Sequence, residues 1–192
     1  MVRETGDKIA AQEKETKIMT TTASAVGTTE GPRAKQRITP MLWYDTQAEE
    51  AANFYCSVFK NSRVNHVARY GDTGPGPKGS VMLMSFELDG QEFTALNGGP
   101  TFKFTEAISM VVNCDTQEEV DTYWDKLTAD GGQEVECGWL KDKYGLSWQI
   151  TPTIIGELMS KGDQAQTNRV MAEVMKTKKF DIQRLKDAAE GK

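Results

Sequence analysis

The chain has 192 residues, a formal net charge of -5 at pH 7 and a pI near 5.1. That length suits one domain with room for an internal duplication, and it supports a sizeable core. The acidic balance argues against nucleic acid or an anionic membrane surface as the main partner, and no apolar run approaches a membrane span.

Residues 1–36 are polar and rich in Thr, Lys and Glu, so an unstructured tail is expected there, with Met19 as an alternative start. The stretch lacks the continuous apolar core of a secretory signal, and its glutamates disfavour a mitochondrial presequence. Cys56, Cys114 and Cys137 are odd in number and outside any CxxC, which points to a reduced, cytoplasmic protein with each cysteine in or near the core.

Order is predicted to begin with a short strand over 38–44, where Pro40 marks an edge or a strand start. Residues 48–59 read as an amphipathic helix with Ala51, Ala52, Tyr55 and Phe59 near one face. Strands follow over 63–70, 80–88 and 92–97, with a Gly/Pro loop over 72–79 and a two-residue hairpin at Asp89 and Gly90. The order then repeats: a strand over 107–113, a helix over 117–129 stopped by Gly131 and Gly132, and strands around Glu134, Leu140 and Trp148. Asp45, Thr46 and Gln47 are answered by Asp115, Thr116 and Gln117, and Phe54 and Tyr55 by Tyr123 and Trp124. Thr46 and Thr116 are each placed to cap a helix with acids in its first turn. Two βαβββ modules are expected, the duplication that arises when one half cannot cover its own sheet.

Asp142 and Gly145 frame a tight turn, after which apolar Leu146, Trp148 and Ile150 alternate with polar Ser147, Gln149 and Thr151. From Ile154 the pattern is helical again, with one stripe of Val170, Met171, Val174 and Met175 and a second begun by Phe180, Ile182 and Leu185.

The two-module plan resembles the vicinal oxygen chelate superfamily, which includes glyoxalase I, bleomycin-resistance proteins and extradiol dioxygenases. Within it the chain is similar to the PhnB-like branch, labelled a 3-demethylubiquinone-9 3-methyltransferase domain. The matching motifs are the Ile-Thr-Pro at Ile38, the Ala-Glu-Glu-Ala at Ala48, Phe54 with Tyr55, and the Asn-Gly-Gly-Pro at Asn97. Also matching are the Cys-Gly-Trp at Cys137, Trp148 with Gln149, the Arg-Val-Met at Arg169, and Asp181 with Ile182. The resemblance covers about residues 37–190. It implies an α+β fold with a cupped mixed sheet from modules over about 37–100 and 105–153, a C-terminal helical extension over 154–192 packed on the domain or the dimer interface, and a homodimer.

In metal-using relatives the ligands come from the opening and closing strands of both modules, which here correspond to Thr39, Ser109, Gln149 and either Asn97 or Glu92. Neutral amides and hydroxyls are poor ligands for Zn²⁺, Fe²⁺ or Ni²⁺, and the lone His66 lies on another strand. No metal and no cofactor is therefore expected, and Gln149→Glu alone should not create a tight site. No glycine-rich fingerprint for S-adenosylmethionine or a dinucleotide follows any strand, which tells against the methyltransferase label. A Ser/His/Asp arrangement has no serine that the sequence places beside His66.

Strand parity sets Trp43 with Thr39 and Met41, and Ser109 with Val111 and Asn113, whereas Leu42, Tyr44, Val112 and Trp148 should lie under the helices. The predicted ligand pocket comprises Thr39, Met41, Trp43, Tyr70, Asn97, Ser109, Val111, Trp139 and Gln149. Aromatic walls with a few amides and hydroxyls suit a small, partly apolar or aromatic molecule. Metal-independent binding of such a ligand is the leading expectation. A metal-dependent glyoxalase or dioxygenase activity and the methyltransferase activity are the alternatives, and no residue is assigned to catalysis.

Overall fold

The computed structural model describes residues 36–192. The tail and alternative start expected from the sequence fall outside the described residues, apart from Gln36. The first module runs β1 (Met41–Tyr44), α1 (Ala48–Val58), β2 (Arg63–Arg69), β3 (Val81–Leu88) and β4 (Gln91–Asn97). The second runs β5 (Ser109–Cys114), α2 (Gln117–Thr128), β6 (Gln133–Glu134), β7 (Trp139–Lys141) and β8 (Ser147–Pro152). Helices α3 (Ile154–Lys161), α4 (Gln164–Met175) and α5 (Ile182–Glu190) complete the chain. None of these helices is long and apolar enough to cross a membrane.

The α+β class and the duplicated βαβββ order are as expected. Each module forms its own four-stranded mixed sheet, in the order β1-β4-β3-β2 and β5-β8-β7-β6. β1–β4 and β5–β8 are the parallel pairs and the remaining neighbours are antiparallel, while the helical crossover carries the chain from β1 to β2 and from β5 to β6 at the far edge of each sheet. At the β3–β4 hairpin Asp89 and Gly90 both have positive φ, 45° and 85°, the twist that a two-residue turn needs.

The helices dock by their apolar stripes. Ala48, Ala51, Ala52, Tyr55 and Val58 of α1 are buried, as are Val120, Trp124 and Leu127 of α2. Thr116 caps α2 as predicted, its Oγ1 accepting from the Glu119 N–H at 3.2 Å. Thr46 does not cap α1. The cap position is Gln47, without a side-chain bond, and the Ala48 N–H donates instead to Asn97 Oδ1 at 2.8 Å. The end of β4 lies against the start of α1, so a residue 49 positions away supplies the acceptor that a local cap would have supplied.

The inner faces of both sheets join one core. At the seam the Phe59 ring stacks on Trp148 and on Tyr123, with centroids 5.2 and 5.1 Å apart. The Asp142–Gly145 turn closes as expected, with the Gly145 N–H on Asp142 O at 2.9 Å, and its carboxylate faces the first module. Asp142 Oδ2 accepts from Tyr55 Oη at 2.7 Å and Trp148 Nε1 at 2.8 Å, while Oδ1 accepts from the Tyr144 and Leu146 N–H groups.

The C-terminal helices gather a second small core around Val170, Phe180, Leu185 and Ala189. Of the expected stripe, Val170 is fully buried, but Met171 and Met175 are 40% and 62% exposed. Glu173 takes the inward place, because α4 turns its Val170–Glu173–Val174 side toward α5.

Candidate functional site

Alternation along the strands divides the predicted pocket residues between two surfaces. Met41 and Trp43 register with Thr94 and Leu96 of β4 and face away from α1. Ser109 and Val111 register with Ser147 and Gln149 of β8 and face away from α2, with Trp139 of β7 opposite Gln149. Thr39, half-buried, lies before β1, because the strand expected over 38–44 begins only at Met41. Within the second set Gln149 Nε2 donates to Ser109 Oγ at 2.8 Å. Trp43 is held by the segment between the modules: its Nε1 donates to Gly99 O at 2.8 Å. A Cβ on Gly98 would lie 2.2 Å from the Trp43 ring, so the Asn-Gly-Gly-Pro motif is a turn shaped around that indole. Among the described residues no hydrogen bond or ring contact joins the Thr39, Met41 and Trp43 set to the Ser109, Val111, Trp139 and Gln149 set.

Tyr70 and Asn97 lie elsewhere. The Asn97 side chain follows Phe93 and Ala95 toward the helix side, where Oδ1 takes the Ala48 N–H and Nδ2 donates to Val81 O at 3.0 Å. Tyr70 is buried and donates to Asn97 O at 2.7 Å. The Gly/Pro loop folds over its ring so closely that a Cβ on Gly76 would sit 2.3 Å away. Both residues line a groove of about 490 Å³ with Glu49 and Arg69, but their polar atoms serve the fold.

A second groove, of about 550 Å³, runs between β5 of the second module and, from the first, the segment leading into β1 and the β3–β4 hairpin. Phe59, Phe93, Tyr123 and Trp148 line it together with Ile38, Ser109, Val111 and Asn113. Of the predicted pocket residues, Ser109 and Val111 belong to it. Sequence reasoning missed Phe59, Phe93 and Tyr123 because an aromatic at helical or strand spacing reads as core. They are core residues that also border an opening.

The residues at the superfamily's ligand positions do not fit a divalent cation. Thr39 precedes the first strand of one sheet while Ser109 opens the first strand of the other, and Gln149 and Asn97 offer amides already engaged in hydrogen bonds. Glu92 accepts from the Gln36 N–H at 3.4 Å. Among the described residues no three of His, Cys, Asp and Glu come together. His66 is exposed on β2 opposite Ser85, without a hydrogen bond between them. Burial pushes the Cys114 thiol up to about 12 and raises that of Cys56, the opposite of what an activated nucleophile needs.

A family model described as 3-demethylubiquinone-9 3-methyltransferase matches residues 36–151, which include both modules and the groove between them. The chain belongs to this family. It is thus a PhnB-like member of the vicinal oxygen chelate superfamily, as the motifs implied. A PhnB protein from Bacillus cereus bearing the same methyltransferase label is 42% identical over 62% of this chain and 100% of that one, with a TM-score of 0.57. Protein PA1353 from Pseudomonas aeruginosa is 17% identical over 61% of this chain and 97% of its own, with a TM-score of 0.52, a likeness of fold alone. FosX from Listeria monocytogenes, a fosfomycin resistance protein complexed with Mn(II) and sulfate, is 14% identical over 67% of this chain and 99% of its own, at a TM-score of 0.44. None of the curated proteins matches.

Proposed function

We propose that this PhnB-like protein binds a small, partly apolar or aromatic molecule without a metal, in the groove between its two modules and on the adjoining outer face of the second sheet. The groove itself carries the reading: about 550 Å³, walled by Phe59, Phe93 and Trp148 and edged by Ser109 and Asn113. That volume and that mixture of aromatic wall and sparse polar rim suit a small ligand. Metal independence is supported by the donor set, whose hydroxyls and amides are poor ligands for a transition metal.

We take residues 37–153 as the binding domain and 154–192 as its docked extension. A homodimer belongs to the same reading, because Met41 leaves an apolar side chain on the outer face of the first sheet at 54% exposure, where a second copy would cover it. Three free thiols suit a reducing, cytoplasmic setting.

The test is native mass spectrometry of protein purified from its own source, with metal analysis of the same sample. A bound organic molecule, less than one metal per chain and dimeric mass are expected. Val111→Arg should abolish the bound mass while leaving the melting curve unchanged, since Val111 is half exposed. Near-stoichiometric Zn²⁺, Ni²⁺ or Fe, lost on chelation together with an activity, would overturn the reading in favour of a metal-dependent enzyme. A monomer under light scattering would remove the dimer from it.

A further inference from the structure

The second sheet buries one polar group for which the fold has no use. Ser147, the first residue of β8, is 1% exposed, and its Oγ has no hydrogen-bond partner among the described residues. Leaving a buried hydroxyl unpaired lowers stability, and alanine would remove that cost without changing the backbone. The hydroxyl therefore calls for a use outside the fold.

Its neighbours indicate what that use is. In the parallel β5–β8 ladder Ser147 stands opposite Ser109, and Gln149, two residues on, projects to the same side. Gln149 Nε2 donates to Ser109 Oγ at 2.8 Å, which leaves the Ser109 proton able to donate and the Gln149 carbonyl oxygen able to accept. The cross-strand charge is cancelled: Lys141, opposite Ser147 in β7, is paired with Glu106. An anionic head would be desolvated here without a free cation, whereas an uncharged one would not be penalised. Trp139 and Val111, both in register with Gln149, offer an aromatic and an aliphatic surface beside these polar atoms.

We propose that Ser109, Ser147 and Gln149 form a polar pole that receives an uncharged head group able both to donate and to accept hydrogen bonds, a carboxamide above all, with its aromatic body against Trp139 and Val111. This rests on the binding function proposed above and narrows its ligand to neutral aromatic amides.

Benzamide and benzoate, which share a ring and differ in head-group charge, provide the test on the full chain, with N-phenylnaphthylamine as an apolar probe of the groove. Titration followed by nitrogen-edited NMR should shift the Gln149 side-chain amide and Trp139 indole signals with benzamide, and benzoate should bind about tenfold more weakly. Ser147→Ala should weaken benzamide about fivefold to tenfold while its melting temperature stays level or rises, and dye binding should be unaffected. Equal affinity for the two probes, an unchanged benzamide affinity in Ser147→Ala, or no benzamide binding at all overturns the proposal. So does a fall in the melting temperature of Ser147→Ala, which would assign the hydroxyl to the fold. Dye binding that survives any of these results leaves the groove reading standing. Absence of dye binding in every form counts against that reading separately.

Discussion

Asp142 at the seam between the modules and Glu173 in the C-terminal helices are both buried, at 3% and 6% exposure, yet their surroundings differ. Asp142 meets only neutral donors: Tyr55 Oη, Trp148 Nε1 and two backbone N–H groups. Burial is the largest influence on it and holds its carboxyl above the usual range, against the lowering effect of those four bonds. Glu173 lies between cations, 2.7 Å from Lys176 Nζ and 2.8 Å from Arg184 Nη2, and the Lys176 contact chiefly holds its carboxyl below the usual range. The seam thus uses a buried acceptor to gather aromatic side chains from two modules, whereas the extension pairs its buried carboxylate with two cations that reach it from the surface. A neutral-donor hub gives position and depends on every bond being made. A cluster with two cations is more tolerant, because the Glu173 carboxylate keeps one when the other is lost.

Removing the hub should be the most damaging change. Asp142→Ala strands the Trp148 indole N–H in the core, leaves the Tyr55 hydroxyl only its 3.2 Å bond with Tyr44 Oη, and is expected to cost on the order of 3–5 kcal/mol in urea unfolding. A loss below about 1 kcal/mol would mean that the two modules do not depend on this carboxylate.

Gly138→Ala tests the other region. Gly138 has φ +78°, and a Cβ there would lie 2.3 Å from the Phe180 ring, the residue that seats the extension beside β7. The same join includes the Gly138 N–H on Lys178 O at 2.9 Å and the Gln117 amide, which spans Phe180 O and the Ile182 N–H. We expect a loss of about 2–3 kcal/mol and faster amide exchange confined to α4 and α5. Uniform loss of protection across both modules would show that the extension does not loosen separately.

The smallest effect is the most diagnostic. Asp142, with a raised folded-state pKa, contributes stability that is fully present below its unfolded pKa and lost as pH rises through the folded value. Glu173, with a lowered one, contributes stability that is present above its unfolded pKa and lost as pH falls through the folded value. Between about pH 6 and pH 3, Asp142→Asn should therefore lose more stability than the parent chain and Glu173→Gln less. Differences of the same sign in the two variants would break the contrast.

Much of the fold was legible because its causes are local. Alternation in 146–151 placed Trp148 inward and Gln149 outward, and both are so disposed. Asp89 with Gly90 announced a hairpin, and Thr116 with Glu119 announced a helix start. Thr46 failed as a cap although its sequence setting copies that of Thr116, because Asn97 had already supplied the acceptor. The candidate site was less legible. Parity told which side of a strand Ser109, Val111 and Gln149 occupy, but not that Tyr70 and Asn97 line a separate groove with their polar atoms in service to α1, β3 and each other.

By itself the sequence determined the two βαβββ modules, their turns, the apolar faces of the strands and helices within those modules, and the family to which the chain belongs. These follow from backbone preference and from the period of two or 3.6 residues, which operate over a few neighbours. Only the tertiary structure decided what stands opposite each face. It brought Tyr55 to Asp142 across 87 positions, set Phe180 under Gly138, opened a groove between the modules and left the Ser147 hydroxyl unpaired. Periodicity fixes the direction in which a side chain points. What it meets there depends on contacts between residues far apart in the chain, and no local pattern encodes them.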